Sequence, residues 1–191
     1  MARPSLKEAR RSEILSAYGV CVARYGVEGA TLEKTAEIAG LARALIRHNV
    51  GNKEDLLAAF VDRFLDSATA GVDELFDELP QSDRLETLID WLFDPEYFDP
   101  QEVRITNALW FAASERPRLA TQLREWIDKF IGRIADEVER AHPQAPSQQR
   151  AAVANGIAAA CFHVETMASV GASSGVHSEL VRSAHLLAST L

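Results

Sequence analysis

Apolar residues recur along this chain at intervals of three and four, with polar positions between them, from Ile14 to Leu191. That period is the signature of helices with one buried face. In the first segment Ile14, Tyr18, Cys21 and Tyr25 follow at spacings of four, three and four, with Leu15 and Val22 beside them. They predict a helix that opens on Ser5-Leu6-Lys7-Glu8, a capping box in which hydroxyl and carboxylate each satisfy an amide. Gly26, able to take a left-handed cap conformation, marks its end. Thr31 is placed to cap a short second helix over Leu32–Ala39, and Gly40 ends it. A third runs from about Arg43 to Val50. Asn52 caps a long fourth helix, where Glu54 and Asp55 in the first turn suit the helix dipole.

Further on, breaks fall at Pro80-Gln81-Ser82, Asp94-Pro95, Asp99-Pro100, Pro117, 143–147 and 171–175. Each interval between them is apolar-periodic and long enough for a helix. No run of alternating β-branched residues flanked by turn signals predicts a sheet. The expected fold class is all-α with about nine helices. A three-helix head over 1–52 precedes a larger helical body over 53–191.

Composition adds little, but the placement of charge adds more. The net charge is -8, which by itself argues against nucleic acid. Residues 1–53, however, carry nine bases and five acids, a surplus of +4, and the remainder carries -12. A basic head on an acidic body draws polyphosphate to one end, although solvated faces also cluster charge. No apolar run approaches the roughly 20 residues of a membrane span, so no membrane partner is expected. Met1 to Lys7 leads into charge rather than an apolar signal core, which points to the cytoplasm. Cys21 and Cys161 sit among apolar neighbours and read as free thiols.

The informative stretch is Thr31 to Lys53, two short helices around the turn Gly40-Leu41-Ala42. Ala36 and Ala39 are small enough for a close crossing, Leu41 plugs the turn, and Ile46 and Val50 anchor the third helix. Arg43, Ala44, Arg47, His48 and Asn49 are then left facing outward. Such a face suits a major groove, with Arg matched to guanine and Asn to adenine. The same spacing also describes a plain helical hairpin with a solvated face.

The run Thr31 to Leu57 resembles the N-terminal domain of TetR-type (tetracycline-repressor-like) regulators. Their pattern is roughly T-x-x-x-I-A-x-x-A-G-V-S-x-G-x-[LI]-Y-x-[HY]-F-x-[SN]-K-x-x-L. Ala36, Ala39-Gly40, Ile46 and Asn52-Lys53 through Leu56 match in register. Thr35 stands for the family's Ile, Ala42 for its Ser and Ala44 for its Gly. Arg47, Asn49 and Val50 replace its Tyr, His or Tyr, and Phe. The resemblance implies a homodimeric repressor that leaves a palindromic operator when a small molecule binds. It implies phosphate contacts at Thr31 and Lys53, base reading at Arg43, and groove or backbone contacts at Ala44, Arg47, His48 and Asn49.

In the body, small residues from Ala151 to Ala160 lie on several faces of one helix, and the last helix is apolar. The resemblance implies that these two helices, about 147–191, pair with their copies. It also implies a pocket for an unknown small-molecule effector among the middle helices, with Trp91, Trp110, Phe111, Trp126, Phe130 and His163 as candidate lining. Aromatics at helical spacing also make ordinary core. Eleven acids against one base, Arg84, between Asp73 and Glu102 suit either a cationic ligand or a solvated face.

No nucleophile elbow, zinc-protease, phosphate-loop or dinucleotide motif is present, so neither an enzyme nor a cofactor is expected. His163 and Glu165, two apart on one helix, point different ways and make no catalytic pair. A helical interaction module without DNA binding is the remaining alternative.

Overall fold

A computed structural model describes residues 6–97, 99–168, 171 and 174–191 of the chain. Among the described residues are nine α-helices, one 3-10 turn (Pro95–Tyr97) and no strand. The helices are α1 Leu6–Gly29, α2 Leu32–Ala39, α3 Arg43–Val50, α4 Lys53–Glu78, α5 Arg84–Leu92, α6 Pro100–Ala113, α7 Pro117–Ala141, α8 Ser147–Ala168 and α9 Ser174–Ala188.

Local chemistry accounts for most boundaries. Thr31 Oγ1 accepts from the Lys34 amide at 3.2 Å and so caps α2. Asn52 Oδ1 accepts from the Glu54 and Asp55 amides at 2.8 and 3.0 Å. Asp55 returns the favour by accepting from the Asn52 amide at 2.9 Å, which makes a reciprocal capping box. Prolines open α6 and α7 at the first helical position, where a missing N–H costs nothing. Ser5, the cap expected for α1, lies outside the described residues.

The regular helix from Leu6 does break at Gly26, but with φ 69° and ψ 173° rather than the left-handed cap conformation, and a short further helical turn carries α1 to Gly29. A second expectation for α1 needs correction. Tyr25 is 47% exposed and does not join the buried stripe. Lys34 Nζ instead sits 3.9 Å over its ring, a cation–π contact that needs an accessible face.

The chain divides into two compact units. One comprises Met1–Ala68 and Arg104–Thr121, the other Thr69–Val103 and Gln122–Leu191. The three-helix head thus shares its unit with the first part of α4 and most of α6. In that first unit Ile14, Tyr18, Cys21 and Val22 of α1 are buried, as are Ala36 of α2, Ile46 and Val50 of α3, and Phe60 of α4. The Tyr18 and Phe60 rings meet edge to face at 5.4 Å. Thr35, fully buried where the family pattern has Ile, donates its hydroxyl to the Thr31 carbonyl at 2.8 Å. That bond is what lets a polar group stand in the core.

The second unit packs α5, α7, α8 and α9 with the end of α4 around Leu88, Ile89, Ile134, Val138, Ile157 and Ala184. Arg84 ties three of these elements together. Its guanidinium grips Glu137 of α7 through two bonds of 2.9 and 2.8 Å and donates to the carbonyl of Phe76 in the last turn of α4 and to those of Leu79 and Pro80 just past it. Glu137 is buried, and Arg84 beside it holds its carboxyl below the usual range. A positive charge on the last carbonyls of α4 also suits that helix's dipole. On α9, His177 Nε2 lies 2.7 Å from the Phe93 carbonyl, and His185 Nε2 lies 2.9 Å from Asp90, which tethers α9 to α5. Both cysteines are free and buried. No helix is long and apolar enough to cross a membrane among the described residues.

Candidate functional site

The turn after α2 positions the candidate reading helix. Gly40 has φ 63° and ψ 31°, the left-handed conformation that costs glycine least. Its amide donates to the Glu37 carbonyl at 3.2 Å, and the Leu41 amide donates to the Ala36 carbonyl at 2.9 Å. Together these two bonds form a Schellman stop, and the half-buried Leu41 follows it. α3 then starts at Arg43 without a side-chain cap, because Ala42 has no hydroxyl to offer. Ile46 and Val50 are buried beneath it.

Arg43, Ala44, Arg47 and His48 are exposed on the far face of α3, and Asn49 is half-buried. Arg43 Nε pairs with Glu33 of α2 at 2.8 Å. Asn49 turns its amide back onto its own helix, donating to the Leu45 carbonyl at 2.8 Å. Arg11 of α1 reaches the Asn49 carbonyl at 3.4 Å and so steadies the end of α3. Thr31 spends its hydroxyl as a cap. Lys53 is held by Glu28, with 2.9 Å to the carbonyl and 3.3 Å to the carboxylate. The Glu28 carboxylate also pairs with Arg116. These two cations, Arg116 first, hold its carboxyl below the ordinary value.

In the second unit a groove of about 420 Å³ runs between α4 and α7. Thr69, Val72 and Asp73 line one side, and Trp126, Lys129, Phe130, Gly132, Arg133 and Asp136 the other. The Trp126 and Phe130 rings stack at 5.6 Å with 7° between their planes. Arg133 lies 4.6 Å over the Phe76 ring and pairs with Asp73. Of the candidate lining residues, Trp126 and Phe130 are brought together here. Trp91 is half-buried against the core of the same unit. His163 is exposed on α8. Trp110 and Phe111 belong to the first unit, are 40% and 86% exposed, and do not line this groove.

Comparison with known proteins then bears on the whole chain. A family model described as BetI-type transcriptional repressor, C-terminal, matches residues 81–161. The HTH-type transcriptional regulator BetI of Stenotrophomonas maltophilia is 24% identical over 149 residues, covering 76% of each chain. The HTH-type transcriptional repressor AcnR of Corynebacterium glutamicum is 33% identical over 95 residues, covering 50% of this chain and 47% of that protein. Among solved structures, a TetR-family regulator from Cytophaga hutchinsonii aligns over 100% of this chain and 98% of its own at TM-score 0.78 and 14% identity. A transcriptional regulator from Pseudomonas aeruginosa PAO1 aligns over 96% and 90% at TM-score 0.77 and 18% identity.

The chain resembles TetR-type transcriptional regulators in sequence and shares their fold.

In this chain the face of α8 turned away from its core carries Ala151, Ala152, Asn155, Ala159 and His163, all exposed. Gly156 lies elsewhere on the helix: a Cβ there would sit 2.7 Å from Leu187 of α9. Its lack of a side chain therefore serves packing within the chain.

Several partners of the candidate residues carry no sequence signal. Glu28 and Arg116 lie 25 and 63 positions from Lys53 in the chain, so nothing local links them. Lys129 and Arg133 were missed as groove residues, although their helical spacing with Trp126 and Phe130 on one face of α7 was a signal that could have found them.

Proposed function

We propose that this chain is a TetR-type homodimeric repressor that binds a palindromic operator and leaves it when a small-molecule effector binds the second unit. The observation that carries the reading is the outer face of α3. Arg43, Ala44, Arg47 and His48 stand exposed over a helix whose other face, Ile46 and Val50, is buried. Polar, basic and anchored, such a helix is suited to a major groove, with Arg43 placed to read a base edge and Arg47 to meet phosphate. Thr31, at the start of α2, and Lys53, at the start of α4, supply the flanking phosphate contacts.

The stripe of small residues on α8, together with Leu186 of α9 at 60% exposure, supports a two-fold interface. Two copies double the reading surface on a palindrome, which one short helix needs for specificity. The groove of α4 and α7 supports an effector site. Its volume falls within the range of small-molecule sites, and two acids and two bases line it. Asp90, Asp94 and Glu102 do not line it, so it does not select a cation by charge; an effector with a flat apolar body fits better.

Gel shift with DNA from upstream of the protein's own gene tests the reading. A discrete complex of two chains per site is expected. Loss of sequence preference, or binding as a single chain, would overturn it.

A further inference from the structure

One carboxylate in the first unit serves two cations from distant parts of the chain. Lys53, the first residue of α4, donates to the Glu28 carbonyl at 2.9 Å and to its carboxylate at 3.3 Å. Arg116, in the turn between α6 and α7, takes the other carboxylate oxygen. The Lys53 side chain is 31% exposed, Arg116 20% and Glu28 67%.

A lysine ammonium has three donors, and Glu28 uses two. The trio as a whole carries one net positive charge. With Arg116 absent, Lys53 and Glu28 would form a neutral pair, and an exposed carboxylate would sit beside any phosphate that Lys53 attracts. We infer that Arg116 is a positioning residue for DNA binding. It occupies Glu28, so that the carboxylate does not cancel the field of Lys53 and the spare donor of Lys53 stays turned to the nucleic-acid backbone. Glu28 in turn is a brake on backbone affinity, and its carbonyl still places Lys53 when the carboxylate is neutralised. This inference rests on the reading of Lys53 as a phosphate contact.

The test is a titration of the full chain with a short duplex of arbitrary sequence over a salt series, since backbone affinity does not depend on sequence. Arg116→Gln should bind about two- to fivefold more weakly, the scale of one exposed charge contact, and Arg116→Lys should recover most of the loss. Glu28→Gln should bind more tightly by a similar factor, with a steeper salt slope. In the Glu28→Gln background, removing Arg116 should change nothing, because the group it acts through is gone. A loss that persists there means that Arg116 meets DNA itself, and overturns the inference. Wild-type binding by both Arg116→Gln and Glu28→Gln also overturns it, and the Glu28 variant carries the test should the Arg116 variant not fold. Lys53→Gln separates the two layers. If it binds with wild-type affinity and salt slope, the phosphate contact itself is lost as a reading and the inference goes with it. If it binds weakly and Arg116→Gln still weakens it further, only the inference falls.

Discussion

Arg43 and Arg47 lie one turn apart on α3 but in different surroundings. Arg43 is held toward α2 by Glu33, whereas the Arg47 side chain reaches solvent from the next turn. Arg47→Ala is therefore expected to weaken binding about equally on all sequences and to lower the salt slope by about one. Arg43→Ala should in addition relax base preference by roughly 1–3 kcal/mol at one position. Titrations on operator and scrambled duplexes over a salt series check both. An unchanged slope for Arg47→Ala would remove its phosphate role. A second residue-scale case lies in the body, where burial pushes the Glu165 carboxyl on α8 up to about 7. Its folded value stands above its unfolded one of 4.5, so its contribution is fully present below about 4.5 and is lost as pH rises from there through about 7. Glu165→Gln should raise stability by about 1–3 kcal/mol above neutral pH and leave it nearly unchanged at about pH 4, below the unfolded value. Thermal unfolding at the two pH values tests this, and an equal gain at both would refute it.

At the scale of elements, α8 shows two kinds of small residue that look alike in sequence. Gly156 lets Leu187 of α9 approach, while Ala159 faces out. Gly156→Val should overpack that crossing and cost about 1–3 kcal/mol of stability, whatever the oligomeric state. Ala159→Glu should leave the unfolding midpoint near that of the wild type and split the proposed dimer, with loss of operator binding. Sedimentation beside thermal melts separates the outcomes. A wild-type chain that is monomeric at micromolar concentration would sink the interface altogether. The residue patterns that end and begin helices were legible, by contrast, because caps are local: Thr31, Gly40 and Asn52 act within three or four positions of themselves.

For the whole molecule, the compact units change how an effector should be detected. Trp110 belongs to the unit that contains the reading helix, and Trp91 and Trp126 belong to the other. Intrinsic fluorescence therefore mixes the two units. A Trp91→Phe, Trp110→Phe variant leaves Trp126, which lines the groove, as its sole tryptophan. A cognate effector should quench or shift that emission at the concentrations that release DNA. Linkage then requires the DNA-bound protein to hold the effector less tightly by the same factor, typically about 5–150-fold. Release of DNA without any change at Trp126 would place the effector elsewhere.

The sequence by itself determined the helical class, the limits of α2 and α3, and the anchored and exposed faces of α3. Each of these follows from a period or a cap that spans a few residues, and local chemistry carries such signals intact. The family pattern around Ala36 to Leu56 rests on the same short range. Only the tertiary structure decided that Thr35 could be polar, that Gly156 serves α9, and that Trp126 and Phe130 share a groove with Arg133 and Asp73 while Phe111 stands in solvent. It alone also joined Glu28, Lys53 and Arg116. Those pairings depend on which faces of distant helices meet, and a one-dimensional pattern records that a face is apolar or charged without recording what it will touch.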